Sequence, residues 1–188
     1  MSGSAHHFWT RRSFLKASLA SAFLLVGEPA WAQDLIASPV SEGRLSLYNT
    51  HTNERLDVTY RDPSGQYDPD ALEALDYLLR CHYTNRATKM DVRVIEFVNT
   101  VDKQLGGDNE IHVISGFRSP EYNRLLVRKR RGVARHSLHL AGKAIDFRIP
   151  GVNPNVIKKT ALDLRYGGVG YYPRRGFVHL DSGTFRYW

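Results

Sequence analysis

Cysteine is almost absent: the 188-residue chain carries one, Cys81. That excludes an internal disulfide framework and a thiolate zinc finger, so any metal site has to be built from histidine and carboxylate. Serine-enzyme and nucleotide signatures are missing too. No GxSxG elbow occurs, SxxK is found only from Ser13 to Lys16, and neither GxxxxGK[ST] nor GxGxxG is present. There is no internal repeat and no low-complexity run. The composition, 42% apolar and 24% charged with 15 Gly and 8 Pro, is that of one ordinary globular domain. Lys and Arg total 26 against 19 Asp and Glu, a net charge of +7, which points to an anionic partner: nucleic acid, a membrane surface or an acidic polymer.

The first thirty-two residues read as an export leader. TRRSFLK, Thr10 to Lys16, leads into the apolar run Ala17 to Val26, and the small residues of AWA, Ala30 to Ala32, precede Gln33. This is the order of a secretory signal, with Arg11 and Arg12 marking the twin-arginine route. The apolar run is too short to span a bilayer, so no membrane anchor is expected after cleavage. Residues 1–32 are read as signal peptide and 33–188 as the mature domain, working in the periplasm or cell envelope. That compartment argues against nucleic acid and leaves the cell wall, with its peptide stems, as the anionic polymer at hand.

In the mature chain RLSLYNTHTNERLDVTY, Arg44 to Tyr60, reads as two strands around a turn. Pro69 opens a helix with Leu72, Leu75 and Leu79 on one face, and Asp91 precedes another carrying Val94, Ile95, Val98, Val101 and Leu105. Asn153 before Pro154 caps a third, with Ile157, Ala161 and Leu164 inward. A short helix is expected at Ser119–Pro120. Strands are expected at Ile111–Ile114, Lys143–Ile149, Gly168–Tyr172 and Phe177–Leu180. The fold class is therefore α+β, with a small central antiparallel sheet and flanking helices.

The chemistry gathers in the C-terminal half. In SLHLAGKAIDF a loop holding His139 turns into a strand on which Ala144, Asp146 and Arg148 share one face, opposite Ile145, Phe147 and Ile149. In GFVHLDSG, alternation puts Phe177, His179 and Asp181 on one face and Val178 and Leu180 on the other. If the two strands pair, two imidazoles and a carboxylate converge, which is the ligand set of a catalytic zinc site with one position open to water. The remaining ring nitrogens need acceptors, which Asp181 or a backbone carbonyl can supply. His51, His82 and His112 are assigned to turn, helix edge and strand without function. Cys81, in the helical run LEALDYLLRCHY, reads as a small half-buried thiol. The basic run RKRRGVAR, Arg128 to Arg135, is either a solvated loop or a steering patch for stem-peptide carboxylates.

SGFRSPEYN, SLHLAGKAIDF, GGVGYYP and FVHLDSG together resemble the YcbK-like branch of the zinc D,D-peptidases, related to the Hedgehog/lysostaphin-type group with its SxHxxGxAxD signature. The signature is complete at Ser137, His139, Gly142, Ala144 and Asp146, and LYNTHTNERL extends the resemblance over nearly the whole mature chain. The resemblance implies one zinc ion held by His139, Asp146 and His179, with Arg118 holding substrate or the oxyanion. It implies murein endopeptidase action on cross-links or stems. D,D- or L,D-carboxypeptidase action and a non-catalytic peptidoglycan-binding module are the alternatives. Relatives place a glutamate three residues, or a histidine two, before the last zinc histidine; here those positions are Gly176 and Phe177. The general base is therefore expected elsewhere, at Asp181 first and His136 second.

Overall fold

The computed structural model describes residues 41–129 and 133–188; the leader read at residues 1–32 lies outside them. Chain order is β1 (Gly43–Asn49), β2 (Arg55–Arg61), α1 (Pro69–Leu78), α2 (Val92–Gln104), β3 (Glu110–Ser115), α3 (Pro120–Lys129), a 3-10 turn (Leu138–Ala141), β4 (Ala144–Arg148), α4 (Pro154–Leu164), β5 (Gly168–Tyr172), a second 3-10 turn (Pro173–Arg175), β6 (Phe177–Asp181) and β7 (Arg186–Tyr187). No described helix is long and apolar enough to cross a membrane.

Local chemistry sets the boundaries. The β1–β2 turn closes on Asn49, whose side-chain oxygen accepts from the backbone N–H of His51 and Thr52 at 3.0 and 3.3 Å. Asp68, Asp91 and Asn153 cap α1, α2 and α4 by accepting from first-turn N–H groups, with proline in the first turn of α1 and α4. The helix that opens at Pro69 ends at Leu78, because the Leu79 carbonyl is taken by the N–H of Phe117 at 2.8 Å and Cys81 bridges back to Arg86. Cys81 therefore lies past the helix, and it is fully rather than half buried. The helix expected to be short at Pro120 runs ten residues.

The sheet corrects the expected architecture. It has seven strands in the order β2-β1-β3-β4-β6-β5-β7, neither small nor wholly antiparallel. β1 and β2 form the hairpin, but α1 and α2 carry the chain back so that β3 lies parallel to β1. β7, two residues long, pairs parallel with β5. Strand alternation sends Leu45, Leu47, Ile111, Val113, Ile145, Phe147, Val178 and Leu180 into the core, which α2 and α4 cover. The same alternation leaves His179 and Asp181 on the opposite face.

Candidate metal centre

Two antiparallel strands place the central pair. β4 pairs with β6 in a register that sets Asp146 directly across from His179, and Ala144 across from Asp181. His139 arrives from the 3-10 turn before β4. That turn ends at Gly142, whose left-handed φ of 65° closes it and whose missing Cβ would otherwise lie 2.7 Å from the Lys89 carbonyl. This is the physical reason for glycine in the SxHxxGxAxD pattern. On β5, Gly168 leaves room for the Asp181 carboxylate, which an added Cβ would meet at 2.4 Å.

The inward atoms form a triangle. His139 Nε2 is 3.2 Å from both Asp146 Oδ1 and His179 Nδ1, and His179 Nδ1 is 2.7 Å from Asp146 Oδ1. All three residues are buried. A tetrahedral ion with bonds of about 2.0–2.1 Å needs neighbouring ligand atoms about 3.3 Å apart, so two edges already match and the His179–Asp146 edge of 2.7 Å has to widen to reach a metal's own spacing. The outer ring atoms are fixed as such ligands require: His139 Nδ1–H donates to the Gly116 carbonyl at 2.7 Å, and His179 Nε2–H donates to Asp181 Oδ2 at 3.0 Å. The residues present therefore fit a divalent metal.

Electrostatics agree with this. Burial pushes the His139 imidazole below its ordinary pKa, which keeps its lone pair available. Burial opposes the charge on Asp146, but the two imidazoles outweigh it and hold the carboxyl well below the usual range. Burial likewise opposes charge on His179, and its bonds to Asp146 and Asp181 win, raising its pKa. Metal-free His179 thus keeps an Nδ1 proton that a metal must displace, so metal binding weakens as pH falls.

Asp181 does not face open solvent. Fully buried, it accepts on Oδ1 from Gly168, Gly183 and Arg186 and on Oδ2 from His179 and Arg186. Burial works against its charge, yet the bonds from His179 and Arg186 hold its pKa down to about 2. Filled lone pairs behind an imidazole are the environment of a group that orients the ring.

The triangle opens onto a cleft of about 650 Å³. Arg118 lines it, anchored by Nε to Ser115 at 2.9 Å and by Nη2 to Asp146. His136 stands exposed on its wall. Sequence reasoning missed two neighbours. Trp188 packs its ring 5.2 Å from that of His179 and donates to the Tyr172 hydroxyl at 3.0 Å, yet it only follows the two-residue β7 and belongs to no periodic pattern. His51, assigned no function, lines the same cleft and stacks on His82 at 3.8 Å. His112 does sit on a strand, against Glu110. Of the basic run, Arg128 and Lys129 end α3, residues 130–132 lie outside the described residues, and among the described ones Val133 and Ala134 line the cleft.

The His82 stack carries a pH signature. Burial, assisted by His51 and Arg118, lowers the His82 pKa from 6.5 to about 4, so the fold favours the neutral ring. That contribution is complete above pH 6.5 and is lost as pH falls toward 4. Thermal melts of His82→Phe are expected to show a shallower loss of Tm across this window than the wild-type chain; parallel curves would remove His82 from the account.

A sequence profile described as peptidoglycan L,D-endopeptidase MepK matches residues 38–188. The chain is 44% identical over 145 residues to the probable peptidoglycan L,D-endopeptidase MepK of Haemophilus influenzae, covering 77% of each protein. It is 38% identical over 144 residues to the peptidoglycan L,D-endopeptidase MepK of Escherichia coli K12, covering 77% of this chain and 79% of that one. A match that takes in every strand and helix described above, and the buried His-Asp-His group with them, establishes that the chain belongs to the MepK family of peptidases.

Proposed function

We propose that this chain is a zinc-dependent endopeptidase of cross-linked stem peptides, cutting L,D bonds of peptidoglycan as do the L,D-endopeptidases that its relatives are named for. The observation that carries the reading is the triangle of inward donors from His139, Asp146 and His179 at the base of a cleft. When bound there, zinc supplies a Lewis acid for the scissile carbonyl and lowers the pKa of water to about 7.

The chain's own groups do the rest. Gly116 and Asp181 fix the two imidazoles in the tautomers that ligation needs. Arg118 spends Nε and Nη2 on Ser115 and Asp146, and its Nη1, without a partner among the described residues, is free to meet negative charge developing on the carbonyl oxygen. His136, exposed on the cleft wall, takes the proton-transfer role and delivers a proton to the leaving amine. Trp188 keeps water from one flank of His179. The leader read at residues 1–32, with its arginine pair, would bring the chain through the twin-arginine route to the envelope, where peptidoglycan lies.

Digestion of purified sacculi by the zinc-loaded chain, with the products separated by chromatography, tests the reading. Cross-linked dimers are expected to disappear in favour of monomeric stems, and a chelator is expected to stop the reaction. Dimers that persist while only terminal residues are lost would replace endopeptidase by carboxypeptidase action. Retention on sacculi with no new product would leave a binding module.

A further inference from the structure

Charge in the cleft is unevenly compensated. Two of its arginines already hold a carboxylate: Arg118 that of Asp146, and Arg186 that of Asp181 at 2.7 Å. Asp181 is the one acidic side chain among the described lining residues. What remains is Arg174 and Arg175, side by side on the 3-10 turn between β5 and β6. Both are exposed, and neither forms an ion pair or side-chain hydrogen bond with a described residue, whereas Arg44, Arg61, Arg80, Arg118 and Arg186 each hold a carboxylate.

The turn that carries the pair is well defined. Pro173 fixes its first φ, and the Gly176 N–H closes it on the Tyr172 carbonyl at 2.9 Å. It runs directly into β6, so Arg175 precedes the ligand His179 by four residues. Two unspent guanidiniums on a short turn lining the same cleft as His139 and His179 suit a planar anion with two oxygens, which an arginine fork grips in a bidentate manner.

Resting on the endopeptidase reading, we propose that Arg174 and Arg175 form a carboxylate-binding subsite that selects stem peptides bearing a free carboxylate beside the scissile bond. This assigns substrate discrimination to the β5–β6 turn. A stem peptide offers such a group in two places, on a side chain and at a chain terminus, and the shared chemistry is the same.

Synthetic cross-linked stem peptides decide the matter in three forms: all carboxylates free, side-chain carboxylates converted to carboxamides, and terminal carboxylates converted to carboxamides. The zinc-loaded full-length chain is expected to show a kcat/KM about tenfold or more higher for the free acid than for one of the two amides, and which amide suffers identifies the carboxylate. The preference is expected to shrink as salt rises. In the double variant Arg174→Gln/Arg175→Gln the ratio of acid to amide is expected to fall to about two or less, mainly through KM, while Arg174→Lys/Arg175→Lys retains part of it. Equal handling of all three peptides by the wild type, or an unchanged ratio in the glutamine variant, would overturn the subsite. Equilibrium binding of the same peptides in the presence of a chelator gives a second reading that does not depend on turnover. A chain that cleaves none of the peptides but binds the free acid about tenfold more tightly, and loses that margin in the glutamine variant, keeps the subsite and ends the endopeptidase reading.

Discussion

Asp146→Ala is expected to abolish the stabilisation of the chain by added zinc and to lower peptidoglycan turnover by about a thousandfold or more. Asp146 supplies the one formal negative charge among the three inward atoms, and it alone touches both imidazoles and Arg118. For the wild type, zinc at about a thousand times its Kd adds about 4 kcal/mol to stability, read as a rise in Tm. The alanine variant is expected to show no such rise. It is also expected to melt lower without metal, because Arg118 is left partly buried without its carboxylate. Asp146→Asn keeps the shape and removes the charge, but its amide NH2 would face the donor of Arg118 or of His179, so the metal-free Tm is expected to fall here too, while the zinc-dependent rise and turnover both go. A variant that keeps the zinc-dependent rise and wild-type turnover would end the ligand assignment.

The legibility of this site in the sequence has a local cause. Strand alternation puts Asp146 and His179 on defined faces, and the paired turn and glycine of SLHLAGKAIDF announce a loop entering a strand, so these residues could be singled out before any coordinates. What alternation cannot give is register, because sliding β4 against β6 by two residues keeps every face and breaks the triangle. The sheet departs from the expected small antiparallel one for a similar reason. The parallel pairing of β1 with β3 depends on how α1 and α2 return the chain, a non-local outcome that no short window contains. Trp188 and the pair Arg174–Arg175 escaped because a two-residue strand and a three-residue turn have no periodicity to read. Asp181 was a different kind of difficulty. Two roles, acceptor for a ligand's ring and general base, are both compatible with its place on the face of His179, and only the count of donors around its oxygens separates them.

That separation yields the second large effect. We propose that Asp181 is a positioning residue, acting through His179, and Asp181→Ala is expected to weaken zinc binding about tenfold to a hundredfold. The carboxylate holds the His179 Nε2–H at 3.0 Å, and without it the ring is free to rotate or to move its proton to Nδ1, the atom that must stay bare to ligate. Turnover measured at limiting zinc is expected to fall by a similar factor, and raising free zinc is expected to restore most of it. A general base gives the opposite pattern: turnover about a hundredfold lower at saturating zinc, with metal affinity unchanged. Asp181→Asn is not expected to rescue, because its amide NH2 would face the donors of Arg186 and Gly183 or of His179. Zinc titration of both variants, read by metal affinity and by turnover in the same samples, decides between the roles, and a persistent hundredfold deficit at saturation would return Asp181 to the chemistry.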